Sequence, residues 1–251
     1  MIKPLICSVG RLVGDAWMTV PGIVQMCQEN GPHEMAAGTY ALPVWKFCQR
    51  YVKGFDVEIV KTVHDPDEKF HPFAPRDGYH SMDPAKVYVE AALCRPSIGM
   101  NEIPYAYGRP PVVRLEFHDG LLREDDLIVL QGSSSHKWKN CGGVVVGARY
   151  SAPTAVIGLQ GELVGHHRDC TGLPFDEQIK LLLRAKAVCS ILSQAAALAA
   201  VVGKRLIVAA YKKDDPLGGV SPATTTLVDN TTMGDWNMAL REAGLLGRMR
   251  P

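Results

Sequence analysis

The chain has 251 residues, 47% of them apolar and 21% charged, with a formal net charge of +1 at pH 7. That composition belongs to a compact globular protein and excludes disorder as the main state. The near-neutral total excludes a global field drawing the chain to nucleic acid or an anionic membrane, and leaves open a local basic groove.

In chain order, the apolar run Leu5–Val9 predicts a strand, residues 15–28 a helix, Glu34–Ala37 a short strand, Pro43–Val52 a helix and Val57–Val63 a strand. Residues 64–82, HDPDEKFHPFAPRDGYHSM, mix prolines and histidines without a period and read as a long loop near the site or near an acceptor. A helix follows over Pro84–Cys94. Prolines then recur at Pro96, Pro104, Pro110 and Pro111 around the strand-like VVRLEF, as an interdomain connection would. A second alternation begins at strand Leu127–Leu130. It continues through helix Val144–Tyr150, strand Thr154–Leu159, helix Phe175–Ala185, strand Val188–Ile191, helix Ser193–Val202 and strand Leu206–Tyr211. Residues 212–232 read as loop and Met233–Leu246 as a last helix. The class expected is α/β, with two doubly wound, parallel-sheet halves facing a cleft.

Seven cysteines (Cys7, Cys27, Cys48, Cys94, Cys141, Cys170, Cys189) form no C-x-x-C pair, are odd in number and lie mostly in apolar surroundings. Reduced, buried thiols in a cytosolic protein are expected. No signal or transit peptide is evident, and the longest apolar stretch, Ala195–Val202, is far too short to span a bilayer.

Three stretches carry chemistry. In SVGRLVGDAW, residues 8–17, the glycines permit a tight turn and Asp15 falls in the first turn of a helix, as a functional carboxylate or a plain cap. QGSSSHKWKN, residues 131–140, sets Gly132, Ser133, Ser134, Ser135, Lys137 and Lys139 at a strand's carboxyl end, where open α/β sheets bind ligands; small donors plus lysine suit a diphosphate. In CSILSQAAALAAVVGKR, residues 189–205, Ser193 and Gln194 open a small-residue helix whose free N–H groups make an anion site, or are simply capped by Ser193. Glu162, beyond the strand at 154–159, is a candidate ligand contact. GHHRDC at 165–170 lacks metal-ligand spacing, so no metal is expected there.

In this order and spacing the stretches resemble the ADP-heptose:lipopolysaccharide heptosyltransferases, GT-B glycosyltransferases. Members begin with a strand, an R-x-G-D turn and an apolar helix with a proline further on, matched by Arg11, Gly14, Asp15 and Pro21. The second half of the family opens with a strand, a small-residue phosphate loop and K-x-W or K-R-W, similar to Leu127 through Trp138. DCTGLPFDEQIKLLLRAKAVCSILSQAAALAAVVGKRLIVAAY is similar to the segment running from D-x-T-G to the alanine-rich helix and the strand after it. Where the family usually has Asp before Ser-Gly, this chain has Leu192-Ser193-Gln194, and it is short for the family.

The resemblance implies a Rossmann-like acceptor-side domain at 1–119, with Arg11 and Gly14 on the acceptor side, a nucleotide-sugar-binding domain at 120–232, and a C-terminal helix and tail at 233–251. It implies inverting, metal-independent transfer of a sugar from a nucleotide sugar to a hydroxyl, the nucleotide sugar being a co-substrate rather than a cofactor. Asp15 would take the acceptor's proton. Lys137 or Lys139, Ser133–Ser135 and the N–H groups near Ser193 and Gln194 would meet the leaving diphosphate, and Glu162 the ribose. A glycan of lipopolysaccharide-core type is the acceptor expected in a bacterial cytosol. One alternative is a phage-type enzyme acting on a hydroxymethylated DNA base in an infected cell, with Lys46, Arg50, Lys53, Lys69, Tyr51 and Phe70 as its patch. Others are a catalytically inert nucleotide-sugar-binding module and a sugar-nucleotide epimerase.

Overall fold

The computed structural model describes residues 5–8, 13–64, 84–99, 102–104, 106, 109–118, 120–132, 142–210, 217, 220–228 and 231–247. The chain divides into two compact units, one of residues 1–106 with 111–118, the other of residues 107–110 with 119–251. The terminal helix thus belongs to the second unit.

Unit 1 alternates β1 (Leu5–Ser8), α1 (Val13–Asn30), β2 (His33–Gly38), α2 (Leu42–Tyr51), β3 (Val57–Val63), α3 (Pro84–Leu93) and β4 (Ser97–Gly99). Its strands pair in parallel in the order β3-β2-β1-β4. β1 lies between two partners and all four of its residues are buried, which is why it opens with the apolar run Leu5-Ile6-Cys7 rather than an alternation. Leu5 and Cys7 of β1 pack with Ala36 and Val89. Trp17 of α1 is fully buried and meets Phe47 of α2 edge-on, with ring centroids 5.8 Å apart. At Gly22 an added Cβ would lie 2.3 Å from the Pro104 carbonyl oxygen, so the glycine lets the chain at 103–104 cross α1 at backbone distance.

Unit 2 runs β5 (Asp125–Gln131), α4 (Gly142–Gly147), β6 (Thr154–Val156), β7 (Arg168–Asp169), α5 (Phe175–Arg184), β8 (Ala185–Ile191), α6 (Gln194–Val201), β9 (Arg205–Ala210), β10 (Thr224–Val228) and α7 (Met233–Glu242). Its parallel sheet has the order β10-β9-β8-β5-β6-β7. It grows outward from β5 through β6 to β7, then returns to the other side of β5 and grows through β8, β9 and β10. This is the doubly wound order of a dinucleotide-binding fold, reversing between β5 and β8. α6 is buried on every side except its first residue, and its alanines bring the helix axis close to β8 and β9. α7 starts with a capping box in which Thr232 and Asp235 satisfy each other's backbone N–H. Its fully buried Trp236 donates from Nε1 to the Tyr150 hydroxyl at 3.2 Å, and that hydroxyl donates to the Val145 carbonyl at 2.6 Å.

Several expectations need correction. VVRLEF is no strand: only Phe117 pairs, in an isolated antiparallel bridge with Val52, because Pro110 and Pro111 remove donors from the chain entering it. β4, β7 and β10 were not expected, and β10 lies inside the span read as loop. The helix expected at 144–150 is α4, ending at Gly147. The strand expected at 154–159 stops at Val156, which frees the chain before Glu162. Of the six described cysteines five are buried, but Cys94 is exposed. None of the described helices is long and apolar enough to cross a membrane.

Candidate functional site

In each unit the sheet reverses its direction of growth beside the first strand, and at such switch points the loops leaving adjacent strands part and open a crevice at the carboxyl edge. In unit 1 the switch lies between β1 and β4. The chain leaves β1 at Ser8 and enters α1 at Val13, so Gly14 and Asp15 stand in the first helical turn at that edge, both half-buried. The positive end of the helix dipole suits an acidic side chain there. The backbone below is tied down: Thr19 donates from Oγ1 to the Ala16 carbonyl at 2.8 Å, and Ala106 N–H donates to the Met18 carbonyl at 3.0 Å. Arg11 lies outside the described residues.

In unit 2 the switch lies between β5 and β8, whose last residues Gln131 and Ser190 are register partners. Beyond β5 comes Gly132, and α4 begins at Gly142. A Cβ on Gly142 would lie 1.7 Å from the Gly132 carbonyl oxygen, and one on Gly132 would lie 3.0 Å from the Gly142 carbonyl oxygen. Two glycines therefore meet backbone to backbone and draw the ends of the 133–141 segment together. Ser133, Ser134, Ser135, Lys137 and Lys139 belong to that segment and lie outside the described residues.

The other side of the switch is a network of hydroxyls and a carboxamide. Ser193 caps α6 by accepting from Ala196 N–H, and its Oγ lies 2.8 Å from that of the fully buried Ser190. Ala195 N–H donates to Gln131 Oε1 at 3.3 Å, and Ala197 N–H to the Ser193 carbonyl at 3.0 Å. Of the N–H groups expected to be free for an anion, those of Ala195, Ala196 and Ala197 therefore already have acceptors. Gln131, only 6% exposed, is the residue that sequence reasoning missed; its signal was a carboxamide ending a buried apolar strand. Gln194 opens α6 half-buried, and Leu192 stands before it in the acid's place.

Beyond β6 the backbone turns at Gly158 (φ +143°) and Gly161 (φ +86°), and Glu162 folds back so that its Oε2 lies where a Gly158 Cβ would be. That oxygen is buried and, among the described residues, has no hydrogen-bond partner. The loop ends at His167, which spans two elements. Val146's carbonyl can only accept, so Nε2 carries the proton and donates to it at 2.9 Å, while Nδ1 accepts from the Thr154 hydroxyl at 2.7 Å. Burial, and secondly the neighbouring His166, hold the His167 pKa below the usual histidine value. The GHHRDC stretch thus serves as a brace plus strand β7. Burial pushes the Cys48 and Cys189 thiols well up, so both remain neutral and unreactive.

No protein-family model matches the sequence, and no curated protein matches it. In three dimensions the chain is similar to a glycosyl transferase of family 9 from Veillonella parvula, with a TM-score of 0.51 and 12% identity, over 98% of this chain and 90% of that one. It is also similar to the dodecameric iron-containing heptosyltransferase TibC, whose structure holds ADP-D-β-D-heptose, with a TM-score of 0.50 and 11% identity, over 92% of this chain and 64% of that one.

The fold is that of a GT-B glycosyltransferase. On this GT-B frame, Gly14 and Asp15 come to the carboxyl edge of unit 1, while Gly132, Ser193, Gln194 and Glu162 come to the carboxyl edge of unit 2. The patch weighed for DNA divides: Lys46, Arg50 and Lys53 are exposed around α2, and Lys69 and Phe70 lie outside the described residues. Lys53 lies 3.6 Å from Glu116, and Arg50 stands over the Tyr51 ring at 5.7 Å while its Nε donates to the Lys46 carbonyl.

Proposed function

We propose that the chain transfers a sugar from a nucleotide-sugar donor to a hydroxyl acceptor of glycan-core type, with inversion and without a metal ion, in the cytosol where nucleotide sugars are made. The observation that carries this reading is a pair of switch points with different chemistry on a glycosyltransferase frame. One edge carries the carboxylate Asp15 and the other carries Gly132 and Ser193, and in the sequence Gly132 runs straight into the serines and lysines of 133–139.

In this mechanism Asp15 accepts the acceptor hydroxyl's proton as that oxygen attacks the anomeric carbon. The bond to the nucleoside diphosphate breaks on the opposite face, so configuration inverts. Lys137 or Lys139, the hydroxyls of Ser133, Ser134 and Ser135, and the first turn of α6 at Ser193 and Gln194 offset the charge developing on the leaving diphosphate. Glu162 accepts from ribose hydroxyls, and Arg11 and Gly14 shape the acceptor side. A second reading, an inert nucleotide-sugar-binding module, draws support from Leu192 at the acid's position and from Gln131 and Ser193 occupying the donors of α6.

The deciding experiment is a thermal-shift panel of ADP-, UDP-, GDP- and CMP-linked compounds on the wild type, Lys137→Ala and Asp15→Asn, followed by product analysis with the stabilising donor. Stabilisation by one nucleotide class, weakened by Lys137→Ala and kept in Asp15→Asn, with a transferred sugar in the product, supports the transferase. A ligand that binds but never turns over leaves the inert module. No stabilisation of folded protein by any nucleotide sinks both.

A further inference from the structure

The Glu162 carboxylate stands out among the acids of unit 2. Asp169 accepts from both the N–H and the hydroxyl of Thr171, and Asp235 from those of Thr232. Among the described residues nothing donates to either oxygen of the Glu162 side chain, and Oε2 is buried. An orphaned buried carboxylate oxygen costs stability unless a water or a ligand supplies the donor.

What keeps the carboxylate there is the backbone of Gly158. With φ at +143° this position is open to glycine and strained for other residues, and a Cβ would lie 1.9 Å from Glu162 Oε2. That conformation is held from outside the loop. Gln178 of α5, 7% exposed, accepts from Gly158 N–H at 2.9 Å and donates from Nε2 to the Gly158 carbonyl at 3.0 Å and to the Leu173 carbonyl at 2.8 Å. Gly172 N–H adds a bond to the same Gly158 carbonyl at 3.1 Å. One carboxamide thus replaces the ladder partner that Gly158 loses where β6 ends, and joins both arms of the 157–173 excursion to a helix.

We propose that Gln178 is a positioning residue for ligand recognition. By clamping Gly158 it holds the Glu162 carboxylate, free of protein donors, at the end of the second strand of the unit 2 fold, where it accepts hydrogen bonds from a vicinal diol of the ligand, namely the ribose of the nucleotide. This inference rests on the nucleotide-sugar reading. It predicts that discrimination for the diol resides in a residue that never touches it.

The test is calorimetric titration of ADP against 2′,3′-dideoxy-ADP, with the UDP and GDP pairs in parallel, on the wild type, Glu162→Gln and Gln178→Ala. A charged hydrogen bond from a diol should make the wild type favour the ribonucleotide roughly 10- to 100-fold. Gln178→Ala should collapse that ratio to about that of Glu162→Gln while leaving dideoxy affinity within about twofold, since a positioning defect removes only the hydroxyl contact. If Gln178→Ala does not fold, Gly158→Ala, which keeps the carboxamide and places a methyl where the carboxylate lies, carries the same expectation. A wild-type ratio preserved in the variants, or equal loss of both nucleotides, overturns the positioning role. A wild type that binds nucleotides without preferring the diol also overturns it and leaves the nucleotide reading standing. Absence of any nucleotide binding overturns both.

Discussion

Unit 1 and unit 2 are built on one topological idea and set different residues on it. Both leave a buried first strand, both reverse the sheet beside it, and both place their chemistry-bearing residues where the reversal occurs. Among the described residues unit 1 has four strands, and it sets an acid, Asp15, directly in the helix that follows its first strand. Unit 2 has six among them and surrounds its reversal with small residues, hydroxyls and a carboxamide. A switch point supplies a place and a set of backbone dipoles; the residues immediately after the strand decide whether that place accepts protons or stabilises an anion.

The sharpest way to break this division is chemical. Asp15→Asn should lower turnover by about two to four orders of magnitude while leaving donor affinity within about twofold, compared by product formation and calorimetry. Equal loss of both would move the acid into donor binding. Next in size, Trp236→Ala removes the largest fully buried side chain of the unit 2 core and leaves the Tyr150 hydroxyl one donor short. It should cost about 3–5 kcal/mol in urea unfolding and, in a Trp138→Phe background, the unit 1 fluorescence of Trp17 and Trp45 should report a separate, unshifted transition. A shift shared by both signals would show that the units unfold as one.

A smaller effect sharpens the same contrast. Gly142→Ala drives a methyl into the Gly132 carbonyl and should cost about 1–3 kcal/mol, together with at least tenfold in nucleotide affinity; stability lost without affinity would divorce the pinch from the donor. Ser193→Ala should cost about 1 kcal/mol as a lost helix cap, read from the urea midpoint. The smallest effect follows pH. The folded-state pKa of His167 is depressed, so as pH falls through about 6.5 the unfolded chain takes up this proton before the folded one does. Stability should therefore be fully present above that pH and decline below it. His167→Gln should flatten the decline, as measured by melting temperature against pH. An unchanged slope would assign the decline to other groups.

Much of this was legible because buried parallel strands announce themselves. LIC and LIVL are apolar throughout, and the helices between them carry a clear period or, in α6, a run of alanines. Order and reversal of strands give, in each unit separately, the edge that holds Asp15 in unit 1 and Gly132 and Ser193 in unit 2. The misses have local causes. β10 is mostly threonine, whose hydroxyls resemble loop composition although its branched Cβ favours a strand. VVRLEF has strand composition without a sheet to join. β7 has two residues and no room for a pattern. Gln131 and Gln178 were invisible for a deeper reason: a glutamine's role depends on which distant backbone groups come within reach, Ala195 N–H for one and Gly158 for the other, and no spacing along the chain encodes that.

The meeting of Gly132 and Gly142 also bears on how such a chain can change over generations. Because Gly132 and Gly142 meet by backbone contact, the distance from the end of β5 to the start of α4 is set by those two residues, whatever stands between them in the sequence. Loop length carries only a slowly growing entropic cost once the ends are joined. Substitution between the two glycines then leaves the sheet beneath as it is, so Gly132 and Gly142 are where substitution is least tolerated.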